Sequence, residues 1–175
     1  MSVKRNVTLI GMPGAGKSTV GVVLAKKLGY DFVDSDLVIQ GRYKKTLEQL
    51  IDEYGDAGFI KLENDVNESL DYDNAVIATG GSAVYGSGAM KHLKEIGTVV
   101  YLRVSEMDLN ERLGSLKERG VVSNGKTTVK EIFEDRKALY EKYADITVDL
   151  EGKTLRESVE ELANCLQQDS QTNLE

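Results

Sequence analysis

Apolar residues recur along this chain with two periods, and the periods take turns. The runs "NVTLI" (6–10), "DFVDSD" (31–36), "NAVIATGG" (74–81), "TVVYLRV" (98–104) and "DITVDL" (145–150) are short and nearly unbroken, as in strands buried on both faces. Between them the spacing becomes helical. Residues 17–28 place Val20, Val23, Leu24 and Leu28 on one face, and "LEQLIDEYG" (47–55) and "GFIKLENDVNESL" (58–70) continue the pattern. Helix starts are marked by paired capping residues: Thr46 with Gln49, Ser105 with Asp108, Thr128 with Glu131 and Thr154 with Glu157. Strands that alternate with helices predict an α/β fold of three layers, α/β/α, around a five-stranded, mostly parallel sheet.

Length and charge narrow this picture. A chain of 175 residues fits one domain, expected over 1–168, with the polar end 169–175 disordered. The formal net charge of -7 repels polyanions, so neither nucleic acid nor an anionic membrane is expected as the main partner. The single cysteine, Cys165, excludes an internal disulfide and falls in the apolar pattern of the last helix, where an inert core thiol is expected. His92, the only histidine, is expected on an exposed helix face. The apolar run near the N-terminus is too short for a signal peptide or a membrane span, which makes the cytoplasm the expected compartment. Residues 114–127, with three glycines and three basic residues and flanked by well-capped helices, form a mobile-loop candidate.

The candidate chemistry begins where the first strand ends. Gly11-x4-Gly16-Lys17-Ser18 satisfies the phosphate-loop pattern between a strand and a helix. Glycines let backbone N–H groups turn toward phosphate, and the helix beginning near Lys17 adds its positive end. Lys17 would meet the β- and γ-phosphates, and the Ser18 hydroxyl would sit on Mg²⁺. No aspartate follows the third or fourth apolar run, and no Asn-Lys-x-Asp guanine reader is present. The acids instead close the second run: Asp34 and Asp36, two apart on an extended segment, would face one side. One could hold hydrated Mg²⁺ and the other receive a hydrogen bond from an acceptor hydroxyl. The same Asp-Ser-Asp also suits a plain helix cap.

In order along the chain, "GMPGAGKSTVG", "FVDSDLVI", "GDAGFIKLE", "ATGGSAV", "RLGSLKERGVV" and "DRKALYEKYADITVD" resemble the motifs of the shikimate kinases, small enzymes with a nucleoside-monophosphate-kinase-like fold. The resemblance runs from about Val7 to Asp149. It implies an ATP- and Mg²⁺-dependent kinase acting on a small hydroxylated molecule, as a monomer. Gly14, Ala15, Gly16, Lys17, Ser18 and Thr19 would bind ATP, and Ser18 and Asp34 would serve the metal. Asp36 would bind the reactive hydroxyl and draw off its proton, with Gly80 and Gly81 bringing backbone close to the substrate. Arg112 would lie against adenine, Arg119 would approach the phosphates from a mobile lid as a catalytic group beside Lys17 and Asp36, and Arg136 would pair with a substrate carboxylate.

The acceptor half of the pattern is altered. Ile60 stands where the family carries a second carboxylate-gripping arginine, Ser82 replaces the third glycine of a triplet, and the family's Arg-Pro-Leu-Leu and Arg-x-Pro-Leu-Tyr read "RGVV" and "RKALY". Loss of one such arginine typically costs ~2–3 kcal/mol, roughly 30- to 150-fold in binding. Shikimate is the expected acceptor. A sister kinase for another polyol or hydroxy acid such as gluconate is the alternative, and an idle nucleotide-binding regulator is a rival of another class.

Overall fold

A computed structural model describes residues 5–113, 121–126 and 128–172. Its strands are β1 (Asn6–Ile10), β2 (Asp31–Asp34), β3 (Ala75–Ala78), β4 (Gly97–Arg103) and β5 (Ile146–Asp149). Its helices are α1 (Lys17–Leu28), α2 (Ser35–Tyr43), α3 (Leu47–Glu68), α4 (Ser87–Ile96), α5 (Glu106–Leu113), α6 (Val129–Tyr143) and α7 (Leu155–Thr172). The strands form one sheet in the order β2-β3-β1-β4-β5, and every adjacent pair is parallel.

Burial on both faces explains the unbroken apolar runs. Leu9 pairs in register with Val100, and Ile10 with Tyr101. Leu9 lies near Gly21 of α1, whereas Tyr101 stacks on Tyr140 of α6, ring centroids 5.0 Å apart. Side chains alternate along a strand, so α1 and α6 cover opposite faces. The capping pairs at Thr46, Thr128 and Thr154 form as expected, and the Ser105 hydroxyl accepts the Asp108 N–H at 3.2 Å.

Four expectations change. The two helical stretches between residues 47 and 68 are one element, α3, bent at Gly55, whose φ of 71° lies in the left-handed region that glycine tolerates. On α1 the buried face is Val20, Gly21, Leu24 and Ala25, while Val23 is 37% exposed, because small residues let the helix sit close to the sheet. The last helix runs to Thr172, into the stretch expected to be disordered, as polar helix formers carry α7 past its final apolar contact. His92 is half-buried, its Nε2 2.7 Å from the Leu70 carbonyl.

At the sheet's amino end, Asn6 ties three strands together. Its Nδ2 donates to the Tyr72 and Ile96 carbonyls at 2.7 and 3.0 Å, and its Oδ1 accepts from Ala75 N at 3.0 Å. Gly97 lies against this knot: a Cβ there would stand 2.1 Å from the Asn6 carbonyl oxygen. Backbone on both sides leaves nothing to yield cheaply. Gly97→Ala is expected to destabilise the fold by ~3 kcal/mol and lower Tm by about 6–12 °C, measured by calorimetry. An unchanged Tm would show that β1 and β4 separate there without cost.

Candidate active site

Loops after β1, β2 and β3 converge at the carboxyl ends of their strands, where open parallel sheets bind ligands. They enclose a cavity of about 470 Å³ that the phosphate loop, Asp36, Glu63, Gly80 to Ser82 and Arg136 help to line.

The phosphate loop supplies one wall. Gly14 and Gly16 take φ of 78° and 94°, which bends the loop, and a Cβ on Gly11 would meet the Leu102 carbonyl oxygen at 2.7 Å. No side chain caps α1, so the N–H donors of its first turn are left for a ligand. Lys17 is 7% exposed, and its Nζ donates to the Gly11 and Met12 carbonyls at 2.7 and 2.8 Å. Burial lowers its pKa to about 8 against the pull of Asp36. Ala15 is buried beneath the loop, and Ser18 and Thr19 are exposed at its rim.

Asp34 and Asp36 do not share an extended segment. β2 ends at Asp34 and α2 starts at Ser35, so the two carboxylates part in direction. Asp34 is the helix cap: its Oδ1 accepts from Asp36 N and Leu37 N at 3.0 and 3.3 Å. Its Oδ2 receives the Ser18 hydroxyl at 3.0 Å, which puts a hydroxyl and a carboxylate side by side at the loop. Asp36 turns into the cavity, and its Oδ1 is buried with no hydrogen-bond partner among the described residues. Burial first, then the charge of Asp34, raises its pKa to about 6.

The far wall explains the glycine pair. A Cβ on Gly80 would lie 2.8 Å from both Asp36 Oδ1 and Glu63 Oε2, and one on Gly81 would lie 2.5 Å from Pro13 Cδ. A side chain at Gly80 would displace the Asp36 and Glu63 carboxylates, and one at Gly81 would press on the Pro13 ring. Arg136 reaches in from α6 and is 1% exposed. Its Nη2 donates to the Val122 carbonyl and its Nε to Tyr85 Oη at 3.4 Å, while Nη1 is buried without a hydrogen-bond partner among the described residues. One turn later, Tyr140 Oη donates to the Gly81 carbonyl at 2.6 Å, tying α6 to the glycine loop.

Glu63 belongs to this wall although motif reasoning did not place it among the site residues. It is 1% exposed and receives the Ser82 hydroxyl, and burial followed by the charge of Asp36 lifts its pKa to about 7. Its signal was position: it falls among Phe59, Leu62 and Val66 on the apolar face of α3, where an acid needs a reason. Arg119 lies outside the described residues, as does the side chain of Arg112 on α5. Of the loop 114–127, residues 121–126 are described; Val122 is buried and Val121 half-buried, both against the cavity.

A shikimate kinase family model matches residues 13–167. The shikimate kinase of Thermodesulfovibrio yellowstonii is 38% identical over 161 residues, covering 90% of this chain and 92% of that protein. The chain belongs to the shikimate kinase family. It is accordingly a phosphotransferase that uses ATP and Mg²⁺ with an alcohol as acceptor. Among solved structures, the shikimate kinase from Aquifex aeolicus superposes with a TM-score of 0.82 at 34% identity, covering 94% of this chain and 98% of that one. The shikimate kinase from Acinetobacter baumannii in complex with shikimate gives a TM-score of 0.83 at 26% identity, covering 95% of this chain and 94% of that one.

The nucleotide half of the site keeps the shikimate kinase pattern, and its donors fit the ligands. Mg²⁺ prefers oxygen ligands and keeps several waters, so one hydroxyl and one carboxylate beside a polyphosphate suffice. Ser18 and Asp34 are such a pair. On the acceptor half, Ile60 is half-buried against a second apolar cluster that includes Phe59 and Val122. No helix among the described residues is long and apolar enough to cross a membrane.

Proposed function

We propose that this protein phosphorylates a hydroxyl of shikimate with ATP, as a monomer in the cytoplasm. The observation that carries the reading is a pair of buried polar atoms, without hydrogen-bond partners among the described residues, in one cavity beside the phosphate loop: Asp36 Oδ1 and Arg136 Nη1. A buried polar atom without a partner costs free energy that a ligand can recover. A carboxylate oxygen wants a hydroxyl donor and a guanidinium wants an anion, and a hydroxylated carboxylic acid offers both.

Each residue then takes a part. Backbone donors from Gly14 to Thr19 hold the phosphates, and Lys17 leaves the Gly11 and Met12 carbonyls to meet them. Ser18 and Asp34 would hold Mg²⁺, which when bound offsets phosphate charge. Asp36 orients the acceptor hydroxyl and accepts its proton as the oxygen bonds to phosphorus and ADP departs. Gly80 and Gly81 let the acceptor approach, and Arg136 holds its carboxylate. Arg112 and Arg119 carry their parts, adenine stacking and phosphate charge neutralisation, from the family pattern.

An assay of ADP release across shikimate, gluconate and other small alcohols tests this reading. Shikimate-dependent turnover supports it; turnover with gluconate alone would point to the sister kinase, and none with any alcohol to an idle regulator. Ile60→Arg is expected to lower the KM for shikimate by roughly tenfold or more through a second charge-assisted pair. An unchanged KM would mean that Arg136 alone holds the carboxylate.

A further inference from the structure

The two departures nearest the acceptor, Ile60 and Ser82, leave Glu63 in an unusual position. It is 1% exposed, and among the described residues no cation comes within ion-pair distance of it. Charged groups face it from several elements, Lys17 on α1, Asp36 on α2 and Arg136 on α6, and act on it through charge. A buried carboxylate in that state needs a donor. Its donor is Ser82, whose hydroxyl lies 2.8 Å from Oε1 and 3.2 Å from Oε2. Ser82 is itself 5% exposed, and its φ of -91° is one that any residue adopts, so neither solvent nor backbone geometry accounts for a serine here.

The other end of this contact points at the acceptor. Glu63 Oε2 and Asp36 Oδ1 lie equally close, 2.8 Å, to the point a Gly80 Cβ would occupy, so the two carboxylates flank one opening onto bare backbone. A serine hydroxyl has one proton to give. Given to Glu63, it fixes the carboxylate and leaves the remaining lone pairs for a donor from the cavity.

We propose that Ser82 is the positioning residue for Glu63, and that the pair reads a second hydroxyl of the acceptor beside the one held by Asp36. This rests on the acceptor-kinase reading above. The glycine of the family pattern at this position has no hydroxyl to give, so the device belongs to this chain. It makes the pocket favour acceptors with neighbouring hydroxyls, and it works only while Glu63 is ionised. Without Ser82 the buried carboxyl keeps its proton to higher pH and offers a donor where an acceptor is needed.

The test uses protein labelled with ¹³C at glutamate carboxyls, the Glu63 resonance being assigned by its loss in Glu63→Gln. In Ser82→Ala the Glu63 titration midpoint is expected to rise by about one pH unit, tenfold in proton affinity, as a buried acid loses its donor. The KM for shikimate should rise about tenfold, with KM for ATP and kcat nearly unchanged, as befits a lost binding contact. Ser82→Ala added to Glu63→Gln should do nothing further. If Ser82→Ala does not fold, Ser82→Gly removes the same hydroxyl and gives the same readouts. An unmoved midpoint, or additive losses in the double variant, would overturn the proposal. A moved midpoint in a protein whose wild type leaves shikimate untouched would overturn the shikimate reading and leave the positioning of Glu63 standing.

Discussion

Asp36→Asn is expected to lower kcat about a thousandfold, within the range typical of a lost general base, while the affinity for ATP stays within about twofold. The carboxylate is turned into the cavity with one oxygen unpartnered among the described residues, whereas the loop that takes the nucleotide is held by other contacts. Asparagine keeps the shape and loses the basicity, so the acceptor hydroxyl can be bound but not relieved of its proton. The same change should stabilise the fold. The pKa of Asp36 is raised from 3.8 to about 6, so the folded chain binds this proton more tightly than the unfolded chain does. Stability therefore falls as pH rises through that window, and above it the full penalty of a buried charge is present. Asparagine removes a penalty of up to ~3 kcal/mol at pH 7.5, a rise in Tm of at most about 6–12 °C that should vanish by pH 3. Near-normal turnover in single-turnover assays would remove Asp36 from the chemistry; a Tm that does not rise would mean its charge is better solvated than its burial indicates.

That opposition between stability and activity also explains which parts of the site could be read in advance. The fold was legible because buried parallel strands must be apolar on both faces and helix starts must cap their donors. Both demands are local, and "NVTLI" or Thr46 with Gln49 state them openly. The phosphate loop was legible for the same reason, since Gly16 and Lys17 answer to their own backbone. What could not be read was direction. Asp34 and Asp36 were expected to point together, but the strand ended one residue too early, and Asp34 became a cap while Asp36 alone reached the cavity. Glu63 and Ser82 are 19 residues apart and meet only because α3 packs over the loop after β3. Such a pairing depends on how two elements are set against each other, which no window of sequence contains.

Arg136→Met is expected to raise the KM for shikimate by roughly 150-fold, the loss of a ~3 kcal/mol charge-assisted contact, with kcat much less affected. Arg136 is 1% exposed and, among the described residues, has no acidic partner in an ion pair. It is held instead by the Val122 carbonyl, Tyr85 Oη and the face of the Tyr85 ring, 5.3 Å away. Those neighbours orient a cation without neutralising it, and among the described residues Nη1 finds no acceptor at hydrogen-bond geometry. A chain that buries a guanidinium with no carboxylate at ion-pair distance among the described residues gives up stability, because desolvation of a charge costs several kcal/mol and Glu63 offsets it only from a distance. Methionine fills much of the same space without the charge, so the variant should melt at higher temperature than the wild type when no acceptor is present. With saturating shikimate the order should reverse, since only the wild type gains from binding an anion. Differential scanning fluorimetry with and without shikimate reads both halves of this expectation. A variant that melts lower in both conditions would mean that Arg136 holds α6 to the segment around Val122 and does not wait for a carboxylate.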